Sequence, residues 1–230
     1  MRIAFASIQG SEGSTARGGI VTTFTPDFVV WKHRFRICQW MLVGVLLPLL
    51  PLAAQPGTIK GKVVARGVRD SADAVVHIQK IPNKTFPTPK EPIVLDQVNL
   101  MFVPHVLPVL VGTTVAFPNS DEVRHNVFSP SPARRFNLGT YPKGISRTVT
   151  FDKPGEVALL CNVHAEMSAY VIVVETPYFA VSTKDGSYTI RNVPPGKYVL
   201  KTWHEKLKSQ TKEVEVPAEG SITVDFELRK

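Results

Sequence analysis

Residues 155–174 read GEVALLCNVHAEMSAYVIVV, two apolar runs that are joined by a short polar loop. Within Glu156–Leu160 the apolar residues Val157 and Leu159 are two positions apart, which is the period of a half-buried β-strand. Ala169–Val174 is rich in β-branched residues and predicts a second strand. This stretch therefore predicts a strand, a tight loop and a returning strand.

Runs of the same kind recur along the chain, and no segment after Gln55 has the periodicity of a helix. The runs are separated by Gly, Pro and Asp, and the 230 residues include 19 Pro and 15 Gly. This pattern predicts an all-β protein built of β-sandwiches. The other predicted strands are Thr58–Ala65, Ala74–Lys80, Val106–Leu110, Thr113–Phe117, Thr148–Phe151, Ser187–Arg191, Lys197–Thr202, Lys212–Val216 and Ile222–Leu228.

Four candidate metal ligands lie in or near the quoted loop: His125, Cys161, His164 and Met167. A thiolate, two imidazoles and a thioether make the ligand set of a blue-copper site. Two residues separate Cys161 from His164, and two separate His164 from Met167, so the three donors of one loop can converge on a single ion. His125 must come from a neighbouring strand end. Two alternatives stay open. Cys161 is a small buried apolar residue without a metal, or two His, one Cys and water hold zinc.

This region resembles the cupredoxins, and amicyanin and plastocyanin in particular. The matching stretches are Val111–Asn119, His125–Phe128, Pro154–Val157 and the Cys-x2-His-x2-Met loop, whose spacing is the one seen in amicyanin. The resemblance covers roughly residues 92 to 176 and implies a Greek-key β-sandwich.

The resemblance also implies a role for each candidate residue. One type-1 copper ion would be held strongly by His125, Cys161 and His164 and weakly by Met167. Asn126 would lie behind the ligands and tie the two ligand-bearing loops together.

The loop departs from the cupredoxin pattern in the residues between its ligands. Glu166 stands beside Met167, where its carboxylate would lower the reduction potential or offer oxygen to the metal. Arg124, next to His125, would offset that charge. His105 lies where cupredoxins do not place a ligand, so we expect it to have a structural or surface role.

Residues 55–89 and 177–230 resemble two halves of a carboxypeptidase regulatory-like (transthyretin-like) domain. Neither half has enough strands for a sandwich, so we expect one smaller β-sandwich that is split by a cupredoxin domain at residues 90–176. The alternative is two sequential β domains. The whole arrangement is similar to exported bacterial proteins labelled methylamine-utilisation-like. The matching stretches are Gly57–Val63, Ala74–Ile78, Asp185–Ile190 and Asn192–Leu200.

Residues 1–54 have the composition of an N-terminal extension followed by a signal peptide. A basic cluster, Lys32–Arg36, precedes the uncharged run Trp40–Ala54, which is short for a membrane span. We expect Sec-type export to the periplasm or the exterior with cleavage near Ala54; the alternative is a retained anchor. Met1–Trp31 would be an extension upstream of the true start.

The net charge of +8 does not indicate a nucleic-acid binder. From residue 55 onwards there are 22 basic and 17 acidic residues, and the cupredoxin-like segment 90–176 carries a net −1. The basic excess therefore lies in the flanking halves, without the aromatic interleaving or helical motif of a nucleic-acid reader. We expect it to favour an acidic redox partner or association with the anionic envelope surface.

Together these features predict an exported single-electron carrier that holds one copper ion. An enzyme is disfavoured, because four protein ligands leave no open coordination position. The alternative function is a periplasmic copper-binding or copper-delivery module without redox turnover.

Overall fold

The computed structural model describes residues 56–230, so the predictions for residues 1–54 lie outside the described part. Every regular element from residue 56 onwards is a β-strand, which confirms the all-β prediction. Within the same range, no helix has the length and apolar character needed to cross a membrane. The strands are β1 Gly57–Ala65, β2 Val75–Ile78, β3 Ile93–Val94, β4 Asp96–Val98, β5 Met101–Val103, β6 Val106–Leu110, β7 Thr113–Pro118, β8 His125–Ser129, β9 Phe136–Tyr141, β10 Ser146–Phe151, β11 Gly155–Leu160, β12 Ser168–Val174, β13 Phe179–Val181, β14 Ser187–Val193, β15 Gly196–Trp203, β16 Thr211–Val216, β17 Ser221–Thr223 and β18 Phe226–Leu228.

The strands at the two ends of the described chain, β1–β2 and β13–β18, form two sheets, which we call the flanking sheets. One has the order β14-β1-β17, with β18 also paired to β1, and the other has the order β13-β2-β15-β16. They enclose one apolar core, as expected for side chains that alternate between a buried and an exposed face. Its buried members are Ile59, Val63, Ala74, Val76, Ile78, Tyr188, Ile190, Val193, Leu200, Leu207, Val216, Phe226 and Leu228.

One predicted strand in the flanking sheets, Ile222–Leu228, is broken in two. Its two halves pair in parallel with successive parts of β1, and between them the Val224 N–H donates to the Lys60 carbonyl at 2.8 Å. A Cβ at Gly61 would overlap the Val224 carbonyl oxygen, so only glycine fits beside the break. Periodicity alone does not reveal such a change of partner along the strand.

The strands between the flanking segments form the sheets of order β6-β12-β11-β8-β9 and β10-β7-β3, and the β4-β5 pair. These sheets share a second core, which includes the candidate ligands Cys161 and Met167. The remaining buried members are Leu95, Phe102, Val109, Val115, Phe117, Val127, Tyr141, Val149, Phe151, Val157, Leu159, Ala169, Val171 and Val173. The assignment of residues 90–176 to an inserted domain stays a prediction.

A third, smaller cluster joins the flanking sheets to the sheet that contains β12. Its buried members are Val75, Val106, Ile172 and Val174, and Tyr170, Phe179, Val181 and Trp203 pack against it while partly exposed. We expected Trp203 to be a core aromatic residue of the flanking unit. Instead its ring packs on Tyr170 with centroids 5.1 Å apart, because the two sheets meet at this position.

Candidate metal centre

The hairpin of β11 and β12 positions the candidate ligand loop. The last pair of its antiparallel register is Leu160 with Ser168, so residues 161–167 form the connection. Inside this loop the Met167 N–H donates to the His164 carbonyl at 3.1 Å. The loop is therefore closed by the hairpin at its base and by a backbone hydrogen bond within it.

The neighbouring strand β8 brings the fourth candidate ligand to the same end of the sheet. β8 pairs with β11 through Phe128 and Leu160, and it begins at His125. The side-chain donor atoms of His125, Cys161 and His164 all lie within 4.8 Å of one another. Sequence reasoning selected these three side chains, and the structure brings them together; their binding of a metal stays a prediction.

The candidate ligands differ in their access to solvent. His125 is fully buried, Cys161 is 5% exposed and Met167 is 1% exposed, whereas His164 is only partly buried. Met167 belongs to the same buried cluster as Cys161. A group bound here would be shielded from water except on the His164 side.

The two imidazoles already face each other through the atoms that would bind a metal. Nδ1 of His125 and Nδ1 of His164 are 3.0 Å apart, so the N–H of one ring donates a hydrogen bond to the nitrogen of the other. A metal ion held by both nitrogens would replace that proton. The Cys161 sulfur adds a soft donor and accepts the Val163 N–H at 3.4 Å. This donor set, with a buried thioether nearby, fits copper better than zinc.

Asp121 fixes the orientation of the buried imidazole. Its Oδ2 accepts the Nε2–H of His125 at 2.7 Å, and the carboxylate also accepts the N–H groups of Asn99 at 2.5 Å and Leu100 at 2.9 Å. Burial raises the pKa of Asp121, but these hydrogen bonds outweigh it and hold the pKa below its ordinary value. Because Nε2 keeps its proton for the carboxylate, the lone pair of His125 is left on Nδ1.

Sequence reasoning missed this role of Asp121. The available signal was a carboxylate four residues before a candidate ligand, on the segment that leads into β8. The contact depends on the turn between β7 and β8, which folds Asp121 back over His125. Hydrophobic periodicity does not report a fold of that kind.

Three other residues that the sequence singled out lie near the candidate ligands in the chain. The Asn126 amide donates to Asn137 on β9 at 2.9 Å, so it ties β8 to β9, and within the described residues its oxygen has no hydrogen-bond partner. Arg124 donates to the Thr140 carbonyl at 3.2 Å. Glu166 is exposed and is not among the side chains that converge with Cys161.

Several solved copper proteins are similar to part of this chain. One is "Cu-containing nitrite reductase (NirK) from Thermus scotoductus SA-01", with 27% identity, 43% of this chain, 25% of that chain and a TM-score of 0.37. A mutant of amicyanin in its reduced form has 25% identity, 37% of this chain, 84% of that chain and a TM-score of 0.35. "Novel Purple Cupredoxin from Nitrosopumilus maritimus" has 24% identity, 35% of this chain, 98% of that chain and a TM-score of 0.32. The chain thus spans about a quarter of the length of the nitrite reductase.

Sequence comparison adds a match in the second half of the chain. No curated protein matches this chain in sequence. Residues 165–229 match the family "Carboxypeptidase regulatory-like domain". The match begins inside the ligand loop and continues through the last strand, β18. The regulatory-like resemblance stated from the sequence thus has a matching family model over residues 165–229.

Proposed function

We propose that this protein is a type-1 copper protein that carries single electrons between redox partners. The observation that carries the proposal is the convergence of His125, Cys161 and His164 within 4.8 Å at one end of a β-sandwich core. A copper ion held there would accept and release one electron. With Met167 as a fourth ligand no coordination position is open to a substrate, which favours a carrier over an enzyme.

The protein's own contribution is to hold these donors in place. Asp121 orients His125, and the β11–β12 hairpin closes the loop that carries Cys161 and His164. Donors fixed before binding need little rearrangement when the charge of a bound ion changes. Such rigidity suits repeated electron transfer more than release of the ion to an acceptor.

The partly buried His164 marks the side from which a redox partner would approach. Three exposed apolar side chains lie beside His164, His125 or Asp121 in the chain or contact them: Val163 at 46%, Val123 at 44% and Leu100 at 40% exposure. Val163 adjoins His164, and the Leu100 N–H donates to Asp121. We propose an acidic redox protein as the partner, steered by the basic flanking segments, in an exported protein that functions outside the cytoplasm.

The proposal is tested by loading the purified protein with Cu(II). We expect intense visible absorption, the narrow hyperfine splitting of a type-1 centre in electron paramagnetic resonance, and a reversible one-electron wave in voltammetry. A colourless product with preferred zinc binding would contradict the assignment. Rapid loss of Cu(I) to a chelator would favour the delivery module instead.

Replacing Met167 by Leu is expected to raise the reduction potential while it weakens copper binding only slightly. Loss of a weak axial donor destabilises Cu(II) relative to Cu(I), while the three stronger donors remain. Copper affinity should fall by less than about tenfold, which is the smallest loss usual when a residue that supports a metal ligand is replaced. Voltammetry and chelator competition measure the two quantities. Met101→Leu, at a methionine that is 56% exposed, is the matched control and should change neither.

A further inference from the structure

The strand that follows the ligand loop packs against two different cores. In β12, Ala169, Val171 and Val173 belong to the core that contains Cys161 and Met167. The alternate residues, Tyr170, Ile172 and Val174, belong to the cluster shared with the flanking sheets. Since β12 begins one residue after Met167, its packing on the flanking sheets acts close to the loop.

His105 holds the first residues of β12 with both its side chain and its backbone. Its Nδ1 donates to the Ser168 carbonyl at 3.1 Å, and its own carbonyl accepts the Tyr170 N–H at 2.9 Å. The ring also meets Tyr170 edge to face, with centroids 5.7 Å apart. His105 thus contacts both Ser168 and Tyr170, in the segment that follows Met167.

The other ring nitrogen of His105 faces the flanking sheets. Its Nε2 lies 3.6 Å from Oε2 of Glu205, in the turn after β15, and the Glu205 side chain is 20% exposed. Burial raises the pKa of Glu205, but the Lys206 ammonium at 2.9 Å and His105 outweigh it and keep the pKa below its usual value. Glu205 is therefore an anion held beside the imidazole.

A cavity lies between the ligand loop, the turn after β15 and His105. Its volume is about 560 Å³, and its lining includes Glu166 and Met167 of the loop, Glu205 and Lys206 of the turn, and His105. The His105–Glu205 contact therefore borders the same cavity as Met167.

The strand before the loop, β11, also contacts the flanking sheets. On β11, the Glu156 carboxylate accepts the Trp203 Nε1–H at 2.8 Å, and Trp203 stacks on Tyr170 of β12. Both strands that carry the loop are therefore attached to β15 or to the turn that follows it.

We propose that His105 is a positioning residue, which together with Glu205 lets the flanking sheets hold the Cys161–Met167 loop in the arrangement that binds the metal. The inference rests on the proposed function for the role of the loop, and it assigns the flanking sheets a part in the site. Without this link, the loop would depend on the hairpin and its own core contacts alone.

The test follows amide hydrogen exchange at Met167 in the metal-free protein, whose N–H donates within the loop to His164. His105→Phe keeps the ring beside Tyr170 but removes both polar contacts, and it should raise the Met167 exchange rate about tenfold relative to the β15–β16 amides. Glu205→Gln should raise it by a smaller factor, about threefold, because the Nε2–Oε2 contact is longer than a hydrogen bond and attracts as an ion pair only while the imidazole is protonated. The double variant should exchange no faster than His105→Phe, because the two residues act through one contact.

Glu227→Gln is the matched control, since Glu227 lies on β18 and is ion-paired with Arg66 and Arg229. It should leave the Met167 exchange rate unchanged. Unchanged exchange in the folded Glu205→Gln variant would overturn the inference, and so would an equal rise at Met167 and the β15–β16 amides in all variants, which would mean general destabilisation. Because this readout needs no copper, it is independent of the Cu(II) spectrum that tests the proposed function.

Discussion

Replacing Cys161 by Ser is expected to abolish the visible absorption of the copper-loaded protein. The intense colour of a type-1 centre comes from charge transfer between a thiolate sulfur and Cu(II). A serine hydroxyl remains protonated at neutral pH and is a harder donor, so it supplies neither the sulfur orbital nor the negative charge. Cys161 is the free cysteine of residues 56–230, and its sulfur lies within 4.8 Å of a ring nitrogen of each candidate histidine. Absorption and paramagnetic resonance spectra at equal copper content measure the effect.

The control for this substitution is the fold of the variant itself. Cys161 is 5% exposed, so a hydroxyl there costs about 1–3 kcal/mol if it finds no partner. Circular dichroism and the unfolding midpoint show whether the variant is still folded. A folded Cys161→Ser protein that keeps the absorption of the parent would mean that the sulfur is not a ligand.

The segment from residue 155 to 174 shows how far sequence reasoning reaches. The predicted strands Glu156–Leu160 and Ala169–Val174 are each one residue shorter than β11 and β12. Both strands are bounded by a loop whose polar residues interrupt the alternation, so period and turn chemistry agree. The position of the loop that carries three candidate ligands therefore follows from the sequence.

Neither β8 nor β9 was among the predicted strands, although His125 was expected to lie at a strand end. β8 opens with His125 and Asn126, polar residues that the core nevertheless buries completely or nearly so. β9 contains Gly139, whose φ is +66°, and it alternates poorly because much of it is exposed. These strands form because their backbones complete a sheet with β11, which is a long-range cause that local periodicity does not report.

The contacts that support the candidate site were also beyond the reach of sequence. His105 was expected to have a structural or surface role, and its position 63 residues before Ser168 gives no sign that the two meet. Trp203 was assigned to the flanking core, yet it donates to Glu156 across the junction. Each contact joins segments that are distant in the chain, so only the folded arrangement of the sheets reveals it.

Replacing Asp121 by Ala is expected to lower the copper affinity about 10- to 100-fold, the usual cost of losing a carboxylate behind a metal-bound histidine. Without the acceptor on Nε2, the proton of His125 is free to move to Nδ1, where it competes with the metal. Asp121→Asn should have an intermediate effect, because the amide oxygen can still accept the Nε2–H although the negative charge is lost. Competition with a copper chelator measures the affinity.

A second measurement separates this effect on the ligand from a general loss of stability. Nitrogen NMR of the metal-free protein reports which ring nitrogen of His125 is protonated, and Asp121→Ala should shift the parent's Nε2–H form towards a mixture. Asp152→Asn is the control, since Asp152 is 59% exposed and pairs with Arg134 at 3.6 Å, and both measurements should match the parent. If Asp121→Ala kept both the affinity and the Nε2–H form, the carboxylate would not direct the lone pair. The orientation of His125 would then rest on its complete burial at the start of β8.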